Sequence, residues 1–412
     1  MTHMGGLSRA VARLVCRPQV RAWSLAALLL ALAGCAVTPP APEPAAAAVP
    51  AASPVQPAPA TAAPPGVPGV TADAGTASAP LLRSKARWVA VPWQDLPGWA
   101  DDRSAQVWPA LRAGCARPAP GWAGLCARAA AFNPPDDGFA RDFLQRELQP
   151  YRVESLDGQR DGMATGYFEP LVAARRQRAP GFGVALHRPP ADPGQRPPLF
   201  SRQQFDTLAA AQASLRGREI AWVASPLDAL LLQIQGSGRL RVSEADGSVR
   251  LVRLAFAAHN DQPYRSVGRW LIEQGEIRLD AANWPNIRAW GQRASPARLN
   301  AMLWSNPRVV FFNEEPLPDE NIGPRGAQNV ALTPGRSVAV DPLAVPYGSM
   351  LWLDTTEPLS STPLRRLVMA QDTGSAITGA VRVDYFWGWG EAAEQQAGRM
   401  KQPLQVWALW PK

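Results

Sequence analysis

The sequence predicts an α+β chain: two β-rich bodies behind a helical N-terminal cap. Three observations carry this. Residues 101–150 place Ala, Leu and charged residues at helical spacing. From about residue 162 the pattern turns to short β-like runs broken by Gly and Pro. Helical intervals then separate those runs into an earlier and a later series.

Taken in order, Val107, Ala110 and Leu111 share one apolar helix face, and Phe139, Phe143, Leu144 and Leu148 share another, so two or three helices are expected before residue 150. Ala164–Phe168, Ile220–Val223, Gly238–Val242 and Val249–Leu254 read as strands. Ser266–Gln274 and Ser295–Asn306 read as helices. Val309–Phe312, Ser337–Val340, Met350–Leu353, Leu364–Ala370, Val381–Trp387 and Leu404–Trp410 form the second strand series, with a short helix at Glu391–Met400 before its last member.

The first 80 residues stand apart. Arg9, Arg13, Arg17 and Arg21 precede the apolar run Leu25–Ala33, which is short for a membrane span and fits an export signal. The run ends in Leu32-Ala33-Gly34-Cys35, which resembles the bacterial lipobox, so Cys35 is expected to be lipidated and to begin the mature chain. By resemblance to sorted lipoproteins, Ala36 in place of an aspartate implies anchoring at the outer membrane, on its periplasmic face. Residues 36–80 hold 12 prolines and 16 alanines in 45 positions, too little apolar bulk for a core, and read as an extended tether. At about 3 Å per residue its reach is on the order of 100 Å, which suits an acceptor away from the membrane such as the cell wall.

Composition then narrows the chemistry. Net charge is +8, of which four charges lie before Cys35, leaving about +4. With no dense Lys/Arg run after residue 35, nucleic acid is not an expected partner. No CxxC, HExxH or GxxxxGK[ST] occurs, so neither a zinc site nor a P-loop is expected, and no cofactor is implied. Only His3, His187 and His259 are present, which leaves carboxylates as the natural catalytic groups. Cys115 and Cys126, the two cysteines after the signal, are compatible with one disulfide or with two free thiols.

The stretch Ala370–Gly388 is the most informative. Asp372 and Asp384 sit twelve residues apart in β-forming apolar sequence. Val381, Val383 and Tyr385 fall on one strand face, and Arg382, Asp384 and Phe386 on the other. An aromatic neighbour raises a carboxyl pKa and a cation lowers it, so the balance at Asp384 stays open.

This stretch resembles the C-terminal signature of the lytic murein transglycosylase A family, related to the three-aspartate domain of cell-wall proteins. Five more segments match in order. They are Thr165-Gly166-Tyr167 through Pro170, Gln233-Ile234-Gln235-Gly236-Ser237-Gly238, Asn260 through Gly268, Asn306 through Phe312, and Asp341 through Ser349. Arg308 and Val309 depart from the pattern of the fourth. The resemblance covers roughly residues 85–412 and implies a mainly β fold with helical additions. A double-psi β-barrel (85–175 plus 318–412) would be interrupted by a second β-barrel (176–317), with a glycan-binding groove between them; 36–84 would be the tether.

It further implies cleavage of the β-1,4 bond of peptidoglycan glycan strands without water, Asp384 acting as acid and then base. Asp372 either supports charge at the reacting carbon or holds its loop. Thr165, Gly166, Tyr167, Gln233, Gln235, Gly236, Ser237 and Asp341 are candidate sugar contacts, although Asp341 before a proline also fits a turn cap and the 233–238 segment also fits turn chemistry. Tyr264 and Asn260 are as well suited to structure as to function. Two rival readings remain at this point: a hydrolase using Asp384 and Asp372 as a pair, and a wall-binding lipoprotein without catalysis. Cell-wall synthesis proteins are possible further partners.

Overall fold

The computed structural model describes residues 79–190 and 199–412. The signal, Cys35 and the tether as far as residue 78 lie outside them. β1 (Leu81–Leu82) and β2 (Arg87–Ala90) lead into α1 (Trp108–Cys115), α2 (Ala123–Ala131) and α3 (Asp137–Glu147), then β3 (Leu148–Glu154) and β4 (Gly162–Glu169). β5 (Leu171–Arg175), β6 (Val184–His187), α4 (Arg202–Thr207), α5 (Ala209–Leu215), β7 (Glu219–Val223) and α6 (Pro226–Gln235) follow. Next come β8 (Gly238–Ser243), β9 (Val249–His259), α7 (Val267–Glu273), α8 (Trp284–Arg293), α9 (Pro296–Ser305) and β10 (Val310–Pro316). The chain closes with β11 (Ser337–Val340), β12 (Met350–Thr356), β13 (Pro363–Asp372), β14 (Arg382–Trp389), α10 (Gly390–Ala397) and β15 (Lys401–Pro411).

Six strands close on themselves in the order β15-β12-β13-β11-β14-β4, with β4 pairing back to β15. Strands from both ends of the folded chain therefore build one barrel, with β5–β10 inserted between them. Val338, Val340, Leu351, Val383, Tyr385 and Leu404 belong to one buried core of the barrel. Two pairings, β11 with β13 and β14 with β4, are parallel. Closure is tight where Gly162 meets β14: a Cβ there would stand 1.7 Å from the Val381 carbonyl oxygen, which only glycine avoids.

The helical cap packs on the barrel's outer face. Leu111, Leu125, Phe143 and Leu144 meet Met350, Trp352, Leu367 and Trp407 in a second core. Val107, Ala110 and Leu111 are all fully buried, as their spacing predicts. Phe139 is 57% exposed, because the α3 face that packs is the one carrying Ala140, Phe143 and Leu144. Leu148 already belongs to β3. Cys115, at the end of α1, is disulfide-bonded to Cys126 in α2.

The insert is a six-stranded sheet ordered β10-β9-β8-β5-β7-β6. Its end strands β10 and β6 approach without a ladder between them, so this second body curls without closing. α6 packs its Ala229 and Leu232 into the sheet core and its Leu227 and Leu230 against α7–α9. The sequence reading placed the start of the insert at 176, but Leu171–Arg175 pairs with β8 and β7, so the crossover is at Pro170. Glu169, the last residue of β4, has no solvent exposure and accepts from Arg239 Nε and Arg253 Nε, each at 2.7 Å. Arg239 also donates to the Glu320 carbonyl at 2.7 Å, and Arg253 to that of Ile322. One carboxylate and two guanidinium groups thus clamp both crossings between barrel and insert.

Candidate active site

A cleft of 770 Å³ runs between the insert and the barrel. Strand register places its chemistry. On β11, Ala339 stands opposite Asp372 of β13 on one side and Asp384 of β14 on the other, and Asp384 in turn stands opposite Thr165 of β4. Asp372 and Asp384 are therefore two strands apart, about 10 Å between Cα atoms. Strand pairing brings them into one row across the sheet, with Val383 and Tyr385 turned into the barrel core and both aspartates lining the cleft.

Asp384 has a single protein partner among the described residues, the Thr165 hydroxyl, which donates to Oδ1 at 2.5 Å. That hydroxyl accepts from Arg382 Nη2 at 2.8 Å. Arg382 is also held by the carbonyls of Met163 and Val383 and makes no direct hydrogen bond to the carboxyl, on which it acts by its charge and through Thr165. Burial raises the Asp384 pKa and outweighs the lowering by Thr165 and Arg382. Phe386, two residues on, is covered by Tyr167 with ring centroids 5.1 Å apart. The second oxygen, Oδ2, is left for a ligand.

Asp372 is held more firmly. Tyr167 OH donates to Oδ2 at 2.9 Å and the Ala327 backbone N–H to Oδ1 at 3.0 Å. Burial, with the neighbouring Asp384 charge adding to it, pushes its pKa up to about 6 despite these donors. The Ala327 loop is braced from behind. Gln328 Nε2 donates to the Gly114 and Arg117 carbonyls beside the disulfide, and Gln371 Nε2 donates to the Ala110 carbonyl.

The remaining predicted residues divide. Thr165, Gly166, Tyr167, Gln233, Gln235, Gly236 and Ser237 all line the cleft. Gly166 is packed so tightly that a Cβ would meet Trp387 Nε1 of β14 at 2.6 Å and Ala397 Cα of α10 at 2.9 Å. Gly236 ends α6 with φ of +78°, a left-handed cap that turns the chain along the cleft wall. Gln233 Oε1 accepts from Arg202 Nη2 at 2.7 Å and Gln235 Oε1 from the Phe168 N–H at 3.1 Å, which leaves their side-chain amide N–H groups as donors. Asp341 does not line the cleft. It is buried, it accepts from Lys85 Nζ, Gly379 N and Leu343 N at 2.9, 2.9 and 3.0 Å, and these donors hold its carboxyl below the usual range despite burial. Its role is to tie the 341–346 turn to the loop before β14. Asn260 is equally structural, its side chain bonding Phe200 O, Pro307 O and Val309 N. Tyr264 faces the cleft.

Sequence reasoning missed Arg202, Phe256 and Arg308, which also line it. Phe256 lies beyond the expected end of its strand, yet β9 runs on to His259 and leaves this ring 53% exposed. An apolar run continuing through Ala258 was the available signal.

The comparisons with known proteins agree with this architecture. Residues 163–313 match the family described as MltA specific insert domain and residues 336–410 the 3D domain. The chain is 30% identical over 277 residues to membrane-bound lytic murein transglycosylase A of Escherichia coli K12, covering 66% of this chain and 72% of that one. Among solved structures it resembles the lytic transglycosylase LtgG of Burkholderia pseudomallei, at 43% identity and TM-score 0.55, over 81% of this chain and 98% of that one. It also resembles MltA of Neisseria gonorrhoeae, at 29% identity and TM-score 0.67, over 81% and 97%. A barrel split by an insert, with two aspartates on its cleft face and this breadth of similarity, has one reading: the chain belongs to the membrane-bound lytic murein transglycosylase A family.

Proposed function

We propose that the protein is a peptidoglycan lytic transglycosylase in which Asp384 serves as acid and then base. The observation that carries this is a cleft-facing carboxyl with a raised pKa, one hydroxyl partner and one unpartnered oxygen. Protonated Asp384 delivers its proton to the β-1,4 oxygen that links muramic acid to N-acetylglucosamine. The carboxylate then removes the proton from O6 of the same muramic sugar as O6 closes onto C1. The product carries a 1,6-anhydromuramyl end and no water is consumed. An O6 already held beside C1 outcompetes bulk water by proximity. Asp372 supports the positive charge that grows at C1, from a position set by Tyr167 and Ala327. Thr165 aligns the Asp384 carboxyl, and the amides of Gln233 and Gln235 with Ser237 bind neutral sugar hydroxyls. Asp341 and Asn260 shape the walls.

A hydrolase using the aspartates as a pair would give products one water heavier. Mass spectrometry of muropeptides released from sacculi by a soluble form lacking residues 1–35 separates the two. Products resistant to borohydride reduction are expected; reducible ends would replace this reading with hydrolysis.

The two carboxyls also set a pH profile. Asp384 must be protonated at the start, so turnover falls as pH rises through its raised pKa. Asp372, its pKa pushed up to about 6, must be ionised to support C1, so its protonation gives the profile an acid limb. Asp372→Asn is expected to lower the rate and flatten the acid limb while the alkaline limb stays. An acid limb unchanged in that variant would mean that Asp372 only braces its loop.

The protein is membrane-associated, by its family. Among the described residues no helix is long and apolar enough to cross a membrane. We assign the attachment to a lipid on Cys35, with the 36–84 tether carrying the enzyme from the outer membrane to the wall.

A further inference from the structure

Four arginines line the cleft: Arg202, Arg308, Arg325 and Arg382. Arg202 is buried and spent on carbonyl oxygens and Gln233, and Arg382 on Thr165 and two backbone carbonyls. Arg325 is exposed, with one long contact of 3.4 Å to the Asn329 carbonyl. Arg308 differs from all three. It is half-buried at the point where the insert meets the barrel loop that follows Asp372. Its Nε donates to the Gln262 carbonyl at 2.7 Å and its Nη1 to the Ser375 hydroxyl, which fixes the plane of the guanidinium. Nη2 has no partner among the described residues, and no carboxylate there lies within 4.0 Å of this cation. Glu315, the acid of the insert that lines the cleft, stands five residues beyond Val310 along β10, a span of about 16 Å of strand.

A half-buried guanidinium without a counter-charge, oriented by two neutral acceptors and facing a cleft, is a preformed site for a carboxylate. We infer that Arg308 binds a carboxylate carried on O3 of the muramic sugar; this rests on the proposed peptidoglycan reading. Ser375 is three residues from Asp372 and lines the same cleft, so on the proposed reading Arg308 faces the part of the cleft that holds the reacting sugar. The O3 substituent leaves that same ring. Its acid is the lactyl carboxylate when the strand is peptide-free and the carboxylates of the stem peptide when it is not. Recognition of either makes the site select muramic acid over N-acetylglucosamine by charge, where the ring hydroxyls alone do not.

The test is binding, measured on the mature chain carrying Asp384→Asn so that nothing is cleaved. Three probes are titrated: peptide-bearing glycan strands, peptide-free strands, and chitohexaose, which has no carboxylate. Adding Arg308→Gln should weaken binding of at least one carboxylate-bearing probe about tenfold and hold chitohexaose within twofold. Loss confined to peptide-free strands names the lactyl group, and loss confined to peptide-bearing strands names the stem peptide. Arg308→Lys, which keeps the charge, should recover part of the loss. Equal weakening of all three probes, or none for either muramyl probe, overturns the inference. Because no turnover is read, its failure is distinct from failure of the anhydro-product assay.

Discussion

Asp384→Asn is expected to reduce release of anhydromuropeptides on the order of a thousandfold or more, since in the proposed mechanism one group performs both proton transfers. Binding should change little. Asparagine fills the same volume and its amide oxygen still accepts from Thr165, so the row of Thr165, Asp384, Ala339 and Asp372 across four strands keeps its register. What disappears is a titratable proton at the unpartnered oxygen. The check is a paired measurement: turnover on sacculi and affinity for isolated glycan strands in the same preparation. Substantial residual turnover, with reducible ends, would transfer catalysis to Asp372 and a bound water. Loss of affinity together with turnover would instead mean that Asp384 is a sugar contact.

The second large effect concerns stability. Glu169→Ala should destabilise the fold by about 3–5 kcal/mol, the range for removing one partner from a buried ion pair. Arg239 and Arg253 would be left buried, without their shared acid, against Trp389 and the Glu320–Ile322 return segment. Glu169→Gln should cost less, because one amide oxygen still accepts. Urea unfolding followed by tryptophan fluorescence reads both. Residual activity at low temperature should fall for Glu169→Ala too, since this cluster sets the walls of the cleft at both crossings. A midpoint within a few tenths of a molar of the parent's would show the cluster to be dispensable.

Local pattern carried much of this protein. Ser337–Val340 appears as a strand with the predicted bounds, and the strands over residues 350–410 differ from expectation mainly by extension at their ends. These strands alternate or run apolar strongly because they line a closed barrel, where one face is always buried. Very short or all-round apolar pieces were not legible. Leu171–Arg175 and Val184–His187 are only four or five residues long, and Pro226–Gln235 is apolar on nearly every side because it is wedged between two cores.

By itself the sequence determined the export signal and tether as expectations, the shortage of histidine and metal motifs, the family resemblance and the choice of Asp384 and Asp372. The resemblance names Asp384 as acid and base, but nothing in the sequence shows why that carboxylate is the one free to act. Asp341 resembles a site residue in one dimension, yet three donors consume it in a turn away from the cleft. In the proposed mechanism Asp384 is the reactive group, because β4 brings one hydroxyl to it and its second oxygen has no partner among the described residues. Arg308 came to the cleft only when β10 and the loop after Asp372 were folded against each other. Such differences are made by partners far away in the chain, through burial and competing hydrogen bonds. A carboxyl's pKa and its availability depend on those partners, and they exist only in the tertiary structure.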